Sequence, residues 1–233
     1  GVERWLSLCI CVRYSVCCLH DTATTEICTL TLHDALPSSW LADPHWDPIW
    51  NATQDTGLPI TFHIDSGREM NIWPGCDSAL NLVKLTVMSF LGNTDAISEV
   101  IFSGLCHRFP KLDFVSVESG IGYIPYLLDS MDWQRVNLGI DKLHPERDLL
   151  PSEYFKRQCI LSIEPDEFPA RQLIDDIGCD QLVFSTDYPH GDSRYPNAVD
   201  AFMELPLTDE EKKKILWDNC ANFYALAGVP SPA

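Results

Sequence analysis

The stretch Gln181-Leu-Val-Phe-Ser-Thr-Asp-Tyr-Pro-His190 decides the fold of this chain. Its apolar residues 182–184 form the compact β-forming run that is typical of a fully buried parallel strand. Asp187 and His190 follow this run, and α/β folds keep their chemistry at the ends of such strands. Pro189 ends the strand and restricts the backbone between the two side chains. The alternative is a loop aspartate that caps the next helix beside a surface histidine, and this stretch alone does not separate the two.

Three further stretches repeat the pattern of an apolar run that ends in an acidic or imidazole side chain. They are Leu58 to Gly67, which contains His63; Leu112 to Gly120, which contains Glu118; and Cys159 to Glu164. Helical patterns lie between these stretches. The sequence therefore predicts an α/β fold with four adjacent parallel strands near 58–63, 112–118, 158–163 and 181–186. Carboxylates and imidazoles that meet at one end of such a sheet are ligands for a divalent metal ion.

The composition argues against several classes of partner. The chain has 233 residues, of which 45% are hydrophobic, which is enough for one globular domain with a sizeable core. Its net charge of −18 disfavours nucleic acid and anionic membrane surfaces. No apolar run approaches the roughly 18 residues of a membrane span. The five cysteines from Cys76 to Cys220 stand apart from one another in helix or strand patterns, which predicts a reducing, cytoplasmic location.

Residues 1–39 differ in pattern from the rest of the chain. Five cysteines crowd the first 28 residues, but their spacing fits no paired CxxC zinc motif. The run from Thr22 to Pro37 resembles a translated sequencing-adapter tail, although its part from Glu26 to Leu32 alternates as a strand does. We therefore predict an atypical, Cys-rich and non-native segment at 1–39, with few long-range contacts, and a domain at 40–233.

The ordered motifs in that domain resemble a known family. The motifs are LPITFHIDSG, CHRFPKLDFVSVESGIGYIPYLLDSMDW, STDYPHGDSRYPN and KKKILWDNCANFYAL, and the family is the amidohydrolase-related group of metal-dependent TIM-barrel hydrolases and decarboxylases. The resemblance implies a (β/α)8 barrel. Family members begin with a His-x-His or related motif on strand one, and no His-x-His occurs in this sequence. We therefore expect an incomplete barrel that consists of about strands five to eight with their helices.

The resemblance also implies roles for the strand-end residues. His63 matches a metal ligand at the end of strand five, and Asp187 matches a metal ligand or proton-transferring group at the end of strand eight. Glu118 stands where many members have a catalytic histidine, as in a subset of the family that has Glu-Ser-Gly there. We therefore expect His63 and Asp187 to bind a divalent metal, with zinc as the first candidate. Asp187, Glu118 and His190 are the predicted catalytic residues.

The predicted activity is metal-dependent hydrolysis or decarboxylation of a small carboxylate or cyclic substrate, at a C–N, C–O or C–C bond. A bound metal lowers the pKa of a water molecule, and Asp187 is the expected acceptor of its proton. The expected partners are a small-molecule substrate and a second copy of the chain. Two alternatives remain open at this point: an inactive barrel fragment, and a binding module that has the fold but no metal.

Overall fold

The fold is centred on one β-sheet. The structure is a computed structural model that describes residues 15–17, 30–33, 41–63, 73–190 and 193–224. Within these residues the sheet has six strands, in the spatial order β1 to β6. The strands are β1 (Ser15–Cys17), β2 (Leu30–His33), β3 (Ile60–Phe62), β4 (Phe114–Ser116), β5 (Cys159–Ile163) and β6 (Leu182–Phe184). β1 runs antiparallel to β2, and every other neighbouring pair is parallel.

Strands β3 to β6 confirm the predicted parallel array. The register pairs Phe62 with Ser116, Ser116 with Leu161, and Ile163 with Phe184. The carboxyl ends of the four strands therefore lie along one edge of the sheet. Strand β6 has the same bounds as its apolar run at 182–184, whereas the run from Leu112 to Glu118 forms a strand only over Phe114–Ser116. The α/β class is confirmed, whereas the incomplete barrel stays a prediction.

One strand of the sheet that pairs with the predicted domain lies within residues 1–39, the segment that the sequence predicts to be separate from that domain. Leu30–His33 forms the strand β2, whose residue Leu30 pairs with Ile60 of β3 in a parallel arrangement. The expectation of few long-range contacts for residues 1–39 is therefore wrong at this strand. Residues 1–14, 18–29 and 34–40 lie outside the described residues, and so do most of the crowded cysteines. The domain boundary between 39 and 40 stays a prediction.

Helices connect the strands and flank the sheet. They are α1 (Asp47–Thr56), α2 (Ser78–Ser89), α3 (Gly92–Phe102), α4 (Leu105–Arg108), α5 (Ile124–Asn137), α6 (Ile140–Leu143), α7 (Pro151–Gln158), α8 (Ala170–Ile177), α9 (Ala198–Met203), α10 (Asp209–Lys213) and α11 (Asn219–Phe223). A 3-10 turn at Pro44–Trp46 precedes α1, and a π-helical turn at Lys214–Asp218 joins α10 to α11. A glycine that follows a helical pattern predicts a helix end, and a threonine before one predicts an N-cap. Accordingly, Gly57 closes α1, and the Thr208 side chain caps α10 by accepting from the Glu211 N–H.

The apolar pattern over Asp95–Arg108 predicts a single helix, but the structure divides it at Gly104 into the end of α3 and α4. This glycine has a φ of +84°, and a Cβ added there would lie 2.8 Å from the Arg147 guanidinium carbon. Arg147 also donates a hydrogen bond to the Phe102 carbonyl at the end of α3. A side chain from a distant loop thus occupies the space beside the break, and only glycine fits both the conformation and the space.

The hydrophobic core lies between the sheet and its helices. Ile60, Phe62 and Phe114 are fully buried, and the two phenylalanine rings stack with their centroids 6.0 Å apart. Helices α3, α4, α5 and α7 pack against one another beside these strands. Thr61 and Val115 point to the other face of the sheet and are buried as well, so that both faces of β3 and β4 are covered. Within the described residues, no helix is both long enough and apolar enough to cross a bilayer.

Candidate functional site

The four side chains that the sequence singles out lie at the carboxyl edge of the sheet. His63 follows β3 directly, and Glu118 follows β4 after one intervening residue. Asp187 comes three residues after the end of β6, and His190 lies in the turn beyond it. Because β3 and β4 are neighbours in the sheet, His63 and Glu118 emerge side by side. The predicted convergence of polar strand ends is present.

Direct contacts link these four side chains. His63 Nε2 lies 2.7 Å from Glu118 Oε2, and His190 Nδ1 lies 2.8 Å from Asp187 Oδ1. A longer contact of 3.7 Å joins His190 Nδ1 to Glu118 Oε1. Glu118 and Asp187 are mostly buried, with 16% and 19% of their side chains exposed, whereas His190 is 56% exposed. Each carboxylate therefore has an imidazole as its neighbour, and one imidazole faces solvent.

Glu118 and Asp187 share an unusual backbone conformation. Their φ values are +56° and +55°, in the left-handed region that residues other than glycine seldom adopt. The Glu118 N–H donates to Ser162 Oγ at 3.0 Å, and the Asp187 carbonyl accepts from the His190 N–H at 3.0 Å. These bonds compensate for the strain. Strained residues cluster at functional sites, which supports a role for both carboxylates.

Three of the four side chains form a group that could hold a metal ion. One ligand atom from each of Glu118, Asp187 and His190 lies within 4.8 Å of the other two. This set differs from the predicted ligand pair, because His63 is not a member and contacts the group through Glu118. Two carboxylates and an imidazole suit manganese, zinc or another borderline divalent cation. The residues present therefore fit a divalent metal.

Glu164 is a further acidic residue at this edge, and it is absent from the predicted site. Burial raises its pKa to about 7, with further contributions from the negative charges of Glu167, Asp187 and Glu118. Its Oε1 is buried, and no hydrogen-bond donor among the described residues reaches it. The sequence does contain a signal for this residue, since Glu164 follows the apolar strand β5 as Glu118 follows β4. The degree of burial, however, depends on contacts that only the fold shows.

Glu167 is the second residue that the sequence does not identify. Its carboxylate accepts one hydrogen bond from the Ile121 N–H at 2.7 Å and another from the Glu164 N–H at 2.9 Å. Burial raises the pKa of Glu167, and these two hydrogen bonds oppose the rise. In the sequence this residue is one of several acids before helix α8, and nothing distinguishes it from a surface carboxylate.

A comparison with known families identifies the family of this chain. The family model described as amidohydrolase matches residues 28–226 of this chain. The chain belongs to the amidohydrolase family. The match confirms the resemblance inferred from the sequence motifs, and it begins before residue 40, so that it includes strand β2.

Several proteins that are similar to this chain are decarboxylases. A gamma-resorcylate decarboxylase from a Polaromonas species is 28% identical over 209 residues, which cover 82% of this chain and 58% of the relative. The crystal structure of 5-carboxyvanillate decarboxylase from Sphingomonas paucimobilis superposes with a TM-score of 0.65 at 22% identity, and covers 84% of this chain and 58% of that one. A dihydroxybenzoic acid decarboxylase from Polaromonas, with bound manganese and 2-nitroresorcinol, has a TM-score of 0.59 at 22% identity, with 81% and 56% covered. This chain thus spans a little over half the length of these relatives.

Proposed function

We propose that the chain forms the metal-binding part of a decarboxylase that acts on a small aromatic carboxylate. The observation that supports this most directly is the group of Glu118, Asp187 and His190, whose ligand atoms lie within 4.8 Å of one another at the carboxyl edge of the sheet. Active sites of (β/α)8 enzymes occupy this edge. The decarboxylases among the relatives support cleavage of a C–C bond over the other reactions that the sequence allows.

Glu118, Asp187 and His190 would hold the metal, with His63 beside Glu118. When bound, a divalent ion supplies a positive charge that polarises substrate oxygens and stabilises the charge that develops in the reaction. The sequence favours zinc, whereas one relative's structure contains manganese, and both ions accept this mixture of carboxylate and imidazole ligands. We propose a divalent metal and test the two ions in parallel.

Asp187 is the proposed proton carrier. In decarboxylation the bond between the ring carbon and the carboxyl carbon breaks, carbon dioxide leaves, and the electron pair stays on the ring carbon. That carbon must then take up a proton. Asp187 is mostly buried, but its Oδ1 contacts His190 Nδ1 at 2.8 Å, and His190 is more than half exposed. With Nε2 as the metal ligand, the Nδ1–H of His190 would donate to Asp187 Oδ1 and hold that carboxylate in place.

Two measurements on the full chain test this function. Titration calorimetry with Mn²⁺ and with Zn²⁺ should detect one ion per chain. An assay for carbon dioxide release from 2,6-dihydroxybenzoate and 5-carboxyvanillate should detect turnover that Asp187→Asn reduces by about 100-fold or more. Asp175→Asn serves as the matched control, because Asp175 is an exposed aspartate that pairs with Arg171 on helix α8. Its turnover should equal that of the unmodified chain.

Other outcomes would favour the alternatives. A folded chain that binds neither ion would contradict the proposal and favour a metal-free binding module. Metal binding without carbon dioxide release would contradict decarboxylation. The same protein would then be assayed for hydrolysis of C–N and C–O bonds, which the family's description as amidohydrolase favours as the second candidate. If hydrolysis were also absent, the chain would be an inactive barrel fragment.

A further inference from the structure

One half-buried carboxylate joins the two loops that leave strands β4 and β5. Glu167 lies in the loop between β5 and helix α8. Its Oε1 accepts from the Ile121 N–H at 2.7 Å, and its Oε2 accepts from the Glu164 N–H at 2.9 Å. Hydrogen bonds from N–H groups to a charged carboxylate are about twice as strong as those between neutral groups. The two strand ends are therefore tied together by one side chain.

The loop after β4 needs such support, because it contains two left-handed residues. Glu118 has a φ of +56° and Gly120 a φ of +62°, and the Ile121 N–H comes directly after them. A non-glycine residue in this conformation is strained, and it persists only where its surroundings hold it there. Ile121 itself is fully buried. The loop is therefore fixed at Glu118 by the Ser162 hydroxyl and at Ile121 by the Glu167 carboxylate.

The space around Glu167 is also closely fitted. A Cβ added at Gly120 would lie 2.9 Å from Glu167 Oε1, too close for an ordinary contact. The glycine therefore allows the carboxylate to reach the Ile121 N–H. Glu118, two residues before this glycine, directs its carboxylate towards His63 and His190. A displacement of the loop would thus change the position of the Glu118 carboxylate.

We propose that Glu167 is a positioning residue of the candidate metal site: by binding the Ile121 and Glu164 N–H groups it holds the Glu118 carboxylate against His63 and within reach of Asp187 and His190. The inference rests on the proposed function only in assigning a metal to this group. The positioning itself concerns contacts of the chain and is open to a test without metal.

The first experiment compares crystal structures of the metal-free chain and its Glu167→Gln variant. Glutamine keeps the size of the side chain and one acceptor oxygen, but its amide nitrogen cannot accept the second N–H. We expect Glu118 to leave its left-handed conformation and the contact between His63 Nε2 and Glu118 Oε2, 2.7 Å in the unmodified chain, to open. An unchanged contact and an unchanged loop in Glu167→Gln would overturn the inference, whatever the chain does with metals.

The second experiment measures Mn²⁺ affinity by calorimetry, at a temperature where urea unfolding shows each protein to be folded. Groups that orient metal ligands typically change affinity by about 10-fold or more, and we expect this loss in Glu167→Gln. Glu153→Gln is the matched control, because the Glu153 carboxylate also accepts a backbone N–H, that of Leu150, but on helix α7 away from the site. A role confined to stability would lower the urea midpoint of Glu167→Gln and leave its Mn²⁺ affinity unchanged, and that result would overturn the inference.

Gly120→Ala provides an independent variant of the same contact. Its added Cβ would push the Glu167 carboxylate away from Ile121, so its Mn²⁺ affinity should fall as that of Glu167→Gln does. If the unmodified chain bound neither Mn²⁺ nor Zn²⁺, the proposed function would fail, and the crystal structures would still decide the positioning role. If the unmodified chain bound Mn²⁺ and both variants bound it equally well, the proposed function would stand and the positioning role would be wrong.

Discussion

The Nε2 atom of His63 lies 2.7 Å from the Oε2 atom of Glu118, so that one contact joins the ends of two neighbouring parallel strands. The other Glu118 oxygen lies 3.7 Å from His190 Nδ1. The Glu118 carboxylate thus stands between two imidazoles that come from opposite ends of the described site. A substitution at Glu118 should therefore affect the arrangement of both histidines.

Glu118→Gln should weaken metal binding more than it weakens the fold. The variant keeps the side-chain length but removes one of the two negative charges from the ligand group. We expect the Mn²⁺ dissociation constant to rise by about 10-fold or more, and the free energy of unfolding to change by less than about 1 kcal/mol. Calorimetry and urea unfolding measure the two quantities. An equal loss of stability and affinity would indicate that Glu118 supports the fold instead.

Glu164→Gln should change how stability depends on pH in the metal-free chain. The Glu164 pKa is raised from 4.5 to about 7 in the folded protein, so the native state holds its proton more tightly than the unfolded state does. The stability that this proton contributes is present below about pH 4.5 and is lost as the pH rises towards 7. Glutamine cannot lose a proton. The variant should therefore gain stability relative to the unmodified chain over this interval, by about 1–2 kcal/mol once solvent screening is allowed for.

Urea unfolding at pH 4, 5, 6, 7 and 8 in the presence of a chelator tests this prediction. Glu204→Gln, at an exposed position after helix α9, is the control and should show the pH dependence of the unmodified chain. A difference between Glu164→Gln and the unmodified chain that stayed constant with pH would contradict the raised pKa.

Two truncated chains should separate the contributions of β1 and β2. Removal of residues 1–29 deletes β1 and leaves β2 paired with β3, so we expect the free energy of unfolding to fall by less than about 1 kcal/mol. Removal of residues 1–34 also deletes β2, which exposes the backbone groups of β3 next to the buried residues Ile60 and Phe62. This loss should exceed about 2 kcal/mol. Equal urea midpoints for the two truncated chains would support the division at residue 39.

Gly104→Ala and Gly139→Ala form a matched pair that isolates a close contact. Both glycines have left-handed backbones, with φ of +84° and +67°, so both substitutions introduce similar strain. A Cβ at Gly139 would meet no atom within 4 Å, whereas one at Gly104 would meet the Arg147 guanidinium at 2.8 Å. We expect Gly139→Ala to cost about 1 kcal/mol and Gly104→Ala at least about 1 kcal/mol more, in thermal or urea unfolding. Equal losses would show that Arg147 moves aside freely.

The features of this structure that could be predicted are those that depend on a short, continuous stretch of sequence. The apolar runs before His63, Glu118 and Asp187 each contain their own strand signal and end in their own polar residue, and parallel pairing then brings the polar ends together. The closure of α1 by Gly57 is likewise a local signal. These features were available from the sequence because each depends on only a few consecutive residues.

The remaining features depend on residues that are far apart in the chain. The break at Gly104 reflects the position of Arg147, and the link made by Glu167 reflects its distance from Ile121. The high pKa of Glu164 depends on burial and on charges that belong to other strands. The pairing of β2 with β3 was not predicted, because the sequence around β2 is atypical and its partner lies about 30 residues further along the chain.

The left-handed backbone conformations of Glu118 and Asp187 limit which residue types can replace them without strain. Glycine suits this conformation without strain, and asparagine tolerates it better than most residues do, while β-branched residues are excluded. Every glutamate codon is one base change from a glycine codon, and every aspartate codon is one base change from both glycine and asparagine. The substitutions that remove the carboxylate are therefore also those that the backbone accepts most easily. One mutational step would therefore suffice to remove the proposed metal site while the fold is kept.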